Sequence, residues 1–92
     1  MSERRKTARR PVRLEVLFAV TDIESSYASV VEAVGTIVDI SSEGFGILTS
    51  YPLKRGHVIT IRKGKREDIP DFGIVRWSGM ENNQVRAGLS FS

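Results

Sequence analysis

Leu14-Glu15-Val16-Leu17-Phe18-Ala19-Val20-Thr21 decides how this chain folds. Leu14, Val16, Phe18 and Val20 share one face, with Glu15 and Thr21 on the other. Side chains alternate across an extended strand, so this period of two predicts a half-buried β-strand. Its apolar run, 16–20, is far shorter than the roughly 20 residues a helix needs to cross a bilayer.

Outward from this stretch the same grammar repeats. On the N-terminal side, Pro11 lacks an amide donor and biases Arg10 toward an extended backbone, which rules against a helix running through it. On the C-terminal side, residues 22–31 are polar and read as a connection. A second strand fits 34–40, rich in β-branched residues. Ser41-Ser42-Glu43-Gly44 is a turn, and a third strand resumes at 45–49. Pro52 and Gly56 bracket another turn before a fourth strand at 58–62, and Lys63-Gly64-Lys65 is a hairpin signal. A fifth strand fits 72–77 and residues 79–83 a further turn. Val85, Ala87, Leu89 and Phe91 then alternate to the end of the sequence. No segment offers an apolar stripe of helical length. Strands recurring every 10 to 15 residues or so between turn residues predict an all-β chain, either a closed antiparallel barrel or a small sandwich. The 92 residues suit one domain with one modest core.

Charge divides the chain unevenly. Residues 1–13 carry Arg4, Arg5, Lys6, Arg9, Arg10 and Arg13 against Glu3 alone, a local charge of +5, whereas the whole chain carries +3. The expected organisation is a flexible basic arm, 1–13, on a mildly acidic barrel, 14–92. Such an arm suits phosphate or another anionic partner. There is no cysteine, and His57 is the single histidine, so no second histidine or cysteine is present to complete a metal site or a nucleophile–base pair. Glu67, Asp68 and Asp71 sit beside Lys65 and Arg66 as a solvated charge cluster. No phosphate-binding P-loop or Rossmann glycine pattern occurs. The expectation is a non-enzymatic, cytoplasmic protein without membrane insertion, metal or cofactor.

Two features carry chemistry. Arg4-Arg5-Lys6-Thr7-Ala8-Arg9 contains Arg5-x-x-x-Arg9, and guanidinium forks match phosphate oxygens and the O6/N7 edge of guanine. Asp39-Ile40-Ser41-Ser42-Glu43-Gly44 places a carboxylate at a strand end, where it can accept from the N1–H and N2–H of guanine. The Ser41 hydroxyl adds a donor or acceptor, and Gly44 permits a positive φ and a close approach of ligand to backbone. The same residues also suit an ordinary β-turn.

Together, Arg5-x-x-x-Arg9 ahead of a first strand and Asp39-x-Ser41-x-x-Gly44 after a second resemble the PilZ domain family over nearly the whole chain. The strand Gly73-Ile74-Val75-Arg76-Trp77 and the closing Arg86-Ala87-Gly88-Leu89-Ser90-Phe91 look like the later strands of such domains. The resemblance implies a six-stranded antiparallel β-barrel from a bacterium that binds the second messenger cyclic di-GMP and signals to an effector protein. It implies guanine and phosphate contacts for Arg5 and Arg9, and guanine-edge contacts for Asp39 and Ser41, with Gly44 shaping the turn. It further implies an intercalated ligand dimer favoured by Arg4, and a guanine stacked on Trp77, whose alternative is plain barrel packing. Family members often continue into a C-terminal helix, for which this sequence has no counterpart. A small barrel binding nucleic acid explains the arm equally well, but the acidic body and the lack of an exposed aromatic row count against it. A PilZ-type interaction module without ligand is disfavoured because all five motif residues are present.

Overall fold

The computed structural model describes residues 9–22, 29–64, 69 and 71–91. Among them are six strands and no helix: β1 (Arg10–Asp22), β2 (Ser29–Ile40), β3 (Gly44–Thr49), β4 (Val58–Lys63), β5 (Phe72–Glu81) and β6 (Gln84–Ser90). All neighbours pair antiparallel, in the order β1-β2-β3-β6-β5-β4, and β4 pairs back onto β1, so the hydrogen bonding of this single sheet runs in a ring. No helix among the described residues is long and apolar enough to cross a membrane.

The period of two sets which side chains fill the ring. Val16, Phe18 and Val20 of β1 point inward, joined by Ile37, Phe45, Ile47, Ile59, Val75, Ala87 and Leu89 from the other five strands. Leu14 and Phe91 are partly buried against this core. Among the polar side chains enclosed with it, Thr49 and His57 both find partners. The Thr49 hydroxyl donates to the carbonyl of Val34 at 2.7 Å, and Nδ1 of His57 accepts the amide of Lys54 at 3.1 Å.

The strands are longer than the alternation alone predicts. β1 starts at Arg10, so Arg10–Arg13, expected in the arm, belong to the sheet. Pro11 fits there because it lies near the strand start, opposite Asp39, beside a register shift before Leu14, and strand starts and bulges are where proline is accommodated in a sheet. β2 starts at Ser29 rather than after residue 31. β5 continues to Glu81, so the expected turn over 79–83 contracts to Asn82-Asn83. Both of these residues have positive φ, 51° and 68°, the backbone of a two-residue hairpin turn.

Two further register shifts matter most for function. One lies between Ile37 and Asp39 in β2, the other between Val75 and Trp77 in β5. Each inserts an extra residue, Val38 or Arg76, which reverses the phase of the alternation. Ile37 and Val75 face the core, and without the bulges Asp39 and Trp77, two residues on, would follow them inward. The bulges turn both to the outer face.

Candidate functional site

One row of paired residues crosses the outer face. Pro11 of β1 opposes Asp39 of β2, Asp39 opposes Gly46 of β3, Gly46 opposes Gly88 of β6, and Gly88 opposes Trp77 of β5. The two central positions carry no side chain, and their neighbours lie down over them. A Cβ on Gly46 would stand 3.0 Å from both carboxylate oxygens of Asp39, and a Cβ on Gly88 would overlap the Trp77 indole at Nε1. Gly46 and Gly88 are therefore buried although they face outward. The indole lies over Gly88 with its Nε1, Cε2 and Cζ2 atoms nearest the strand, and the residue is still 51% exposed. Gly46 and Gly88 are paired, and paired Cα atoms in neighbouring strands lie about 5 Å apart, so the carboxylate over one glycine and the indole over the other occupy neighbouring places on the outer face.

Guanidinium groups rim this row. Nη1 of Arg9 lies 3.6 Å from Oδ1 of Asp39, within ion-pair reach but too long for a hydrogen bond. Nη2 of Arg86 lies 3.3 Å from Oδ2 of Asp39, and Nη1 of Arg86 lies 3.3 Å from Oε1 of Glu81. The Asp39 side chain is only 17% exposed. Its Oδ1 and the Nε of Arg86 are both enclosed and make no hydrogen bond. A partly buried carboxylate with one uncommitted oxygen is an acceptor awaiting a donor, since leaving such an atom unpaired costs on the order of 1–3 kcal/mol.

The turn beside Asp39 is held by its own residues. The Ser41 amide donates to the Gly44 carbonyl at 2.9 Å, and the Ser41 hydroxyl oxygen accepts the Glu43 amide at 3.2 Å. Ser41 is buried, so the hydroxyl has a structural duty that the sequence pattern does not reveal. Gly44 corrects an expectation. Positive φ is confined, among the described glycines, to Gly56 and Gly64. Gly44 is an ordinary strand residue opposite Ser90, and a Cβ there would run into the backbone carbonyl of Leu89. Its glycine serves the close approach of β6, not a positive φ.

The structure thus brings Asp39 and Trp77 to one row with Arg9 at its rim, and Ser41 and Gly44 form the adjoining turn. Arg4 and Arg5 lie outside the described residues. Trp77 stands outside the core and packs over Gly88 on the outer face. Sequence reasoning missed Gly46, Gly88, Glu81 and Arg86 as members of the site. The available signal was glycine at outward positions of two strands, Gly46 and Gly88, because an interior strand glycine marks a close approach of something else. No protein-family model matches the sequence and no curated protein matches it, so the chemistry assigned to the site rests on its own residues.

Proposed function

We propose that the chain is a cyclic di-GMP receptor of the PilZ type, its ring of strands being the barrel of that family, and that it binds rather than transforms its ligand. The observation that carries this reading is the row Asp39–Gly46–Gly88–Trp77 with Arg9 at its rim. An ionised carboxylate only accepts hydrogen bonds. It repels phosphate and suits the adjacent N1–H and N2–H donors of guanine. The half-exposed Trp77 indole would supply a stacking partner beside it, and base–aromatic stacking contributes about 1–3 kcal/mol per base. Guanidinium groups supply partners for the phosphates.

In this reading the Asp39 carboxylate exchanges its ion pair with Arg9 for the guanine edge. Arg9, together with Arg5 and Arg4 of the basic arm, turns to the phosphates, with Arg4 favouring an intercalated pair of ligand molecules. Ser41 and Gly44 hold the turn that presents Asp39. The arm closing over the ligand changes the surface that an effector protein meets, a ligand-gated rearrangement of a segment. A cytoplasmic location in a bacterium follows from the ligand.

Isothermal titration of the full chain with cyclic di-GMP tests the reading. Saturable binding is expected, with Asp39→Ala and Arg9→Ala each weakening it by about 1.5–3 kcal/mol, the range for a charge-assisted hydrogen bond. Absence of binding by the wild type at tens-of-micromolar ligand, or undiminished binding by both variants, would overturn it. Preference for a long oligonucleotide over the cyclic dinucleotide would point instead to a nucleic-acid partner.

A further inference from the structure

We propose that Arg86 is a specificity-determining residue of this site, reading the guanine O6 beside the donor edge that Asp39 reads. The inference rests on the guanine-binding reading above and adds a second arm to it.

Arg86 stands on the outer face of β6, opposite Leu48 of β3 and Gly79 of β5. Asp39 is on β2, with β3 in between. The Arg86 side chain must therefore cross β3 to reach Asp39, and it passes a strand whose outward residues include Gly44 and Gly46. Two carboxylates fix its head, Asp39 through Nη2 and Glu81 through Nη1, each at 3.3 Å. A planar guanidinium held at two of its nitrogens by groups on different strands has little freedom left.

What remains unused decides the inference. On Asp39 the unused atom is Oδ1, an acceptor; on Arg86 it is Nε–H, a donor. Both are enclosed without a hydrogen bond. The complement of this pair is a group presenting an acceptor next to a donor. Guanine does so along one edge, with O6 beside N1–H. In the same orientation adenine presents the opposite order, an amino donor beside N1 as acceptor, and would set donor against donor and acceptor against acceptor; turned over to match, it still lacks the N2–H donor that guanine places beside N1–H. Because both unused atoms are closed to water, something must move before a base can reach them. Arg9 is the neighbour that can leave Oδ1 without breaking a hydrogen bond to it. Arg86 stays, keeps Oδ2, and so aims Oδ1 at the ligand.

The test uses the full chain with Arg86→Lys, Arg86→Gln and Glu81→Gln, titrated with cyclic di-GMP and cyclic di-AMP, with a melting curve for each variant. Lysine keeps the charge and loses the Nε–H fork. Arg86→Lys is expected to fall about ten-fold or more in cyclic di-GMP affinity, with cyclic di-AMP little affected, so that the ratio between the two ligands collapses. Glu81→Gln, which loosens Arg86 without touching the base, is expected to fall less. Arg86→Lys with wild-type affinity and an unchanged ratio overturns the proposal, and so does an equal loss for both ligands, which marks a mere strut between strands. Wild-type protein that binds neither ligand overturns the receptor reading and this one together. Wild-type binding with an unselective Arg86 overturns this one alone. In the free protein a distinct, slowly exchanging Arg86 Nε–H signal in ¹⁵N NMR, lost in Asp39→Asn, is also expected, and its absence from the wild type counts against a fixed Arg86.

Discussion

Gly44, Gly79 and Gly88 are all outer-face or turn-proximal glycines of the same sheet, yet a methyl group meets something different at each. At Gly44 it meets the backbone carbonyl of Leu89, at Gly88 the Trp77 indole, and at Gly79 nothing within 4 Å. Gly44→Ala is expected to lower stability by about 1–3 kcal/mol, the usual range for overpacking against atoms that cannot move aside. Gly79→Ala is expected to lie within about 0.5 kcal/mol of the wild type. Chemical denaturation compares the two. Gly88→Ala lifts the indole from the sheet instead. Trp77 is the only tryptophan, so a red-shifted emission with loss of ligand stacking is the expected readout. Asp39 was legible from the sequence because a carboxylate, a serine and a glycine at fixed offsets make a recognisable turn. Arg86 was not, because it meets Asp39 across 47 residues of chain and over an intervening strand. No local pattern encodes that meeting.

At the scale of elements, the strands were readable and their ends and bulges were not. Alternation in 14–21 and 85–91 marks core faces directly, and Val16, Phe18, Val20, Val85, Ala87 and Leu89 are all buried. A bulge leaves no compositional trace. Val38 and Arg76 read as further strand residues, and only pairing shows that each shifts the register and turns Asp39 and Trp77 outward. The β5–β6 turn illustrates the same limit. Gly79 looks like turn chemistry, but the chain turns at Asn82-Asn83, where both residues adopt left-handed backbone that asparagine tolerates better than most. Asn83→Ala should therefore cost about 1 kcal/mol, the penalty for a Cβ in that region. Since Glu81 and Gln84 are the last pair before this turn, the fraying should also loosen the Glu81–Arg86 contact. Thermal melts and the Arg86 Nε–H signal give both quantities on one sample.

For the molecule as a whole, ring-like pairing makes the site and the core inseparable. β3 is buried on both faces, inward by the core and outward by the Asp39 side chain over Gly46, and the row that would hold a ligand draws on five of the six strands. A domain of this size unfolds cooperatively, so a ligand bound across that row stabilises the whole fold by mass action. At a hundred times the dissociation constant the gain is about 2.7 kcal/mol. In a domain of fewer than 100 residues each kcal/mol moves the melting temperature by roughly 4–8 °C, which puts the expected rise with cyclic di-GMP at about 10–20 °C. Phe18→Ala, which opens a cavity in the core at a side chain with no exposed surface, should cost about 3–5 kcal/mol of stability and yet retain a ligand-dependent rise. Asp39→Ala should behave in the opposite way, melting near the wild type without ligand and gaining little when it is added. Scanning fluorimetry of the three proteins with and without cyclic di-GMP separates the outcomes. Equal rises in the wild type and Asp39→Ala would place the ligand somewhere other than this row.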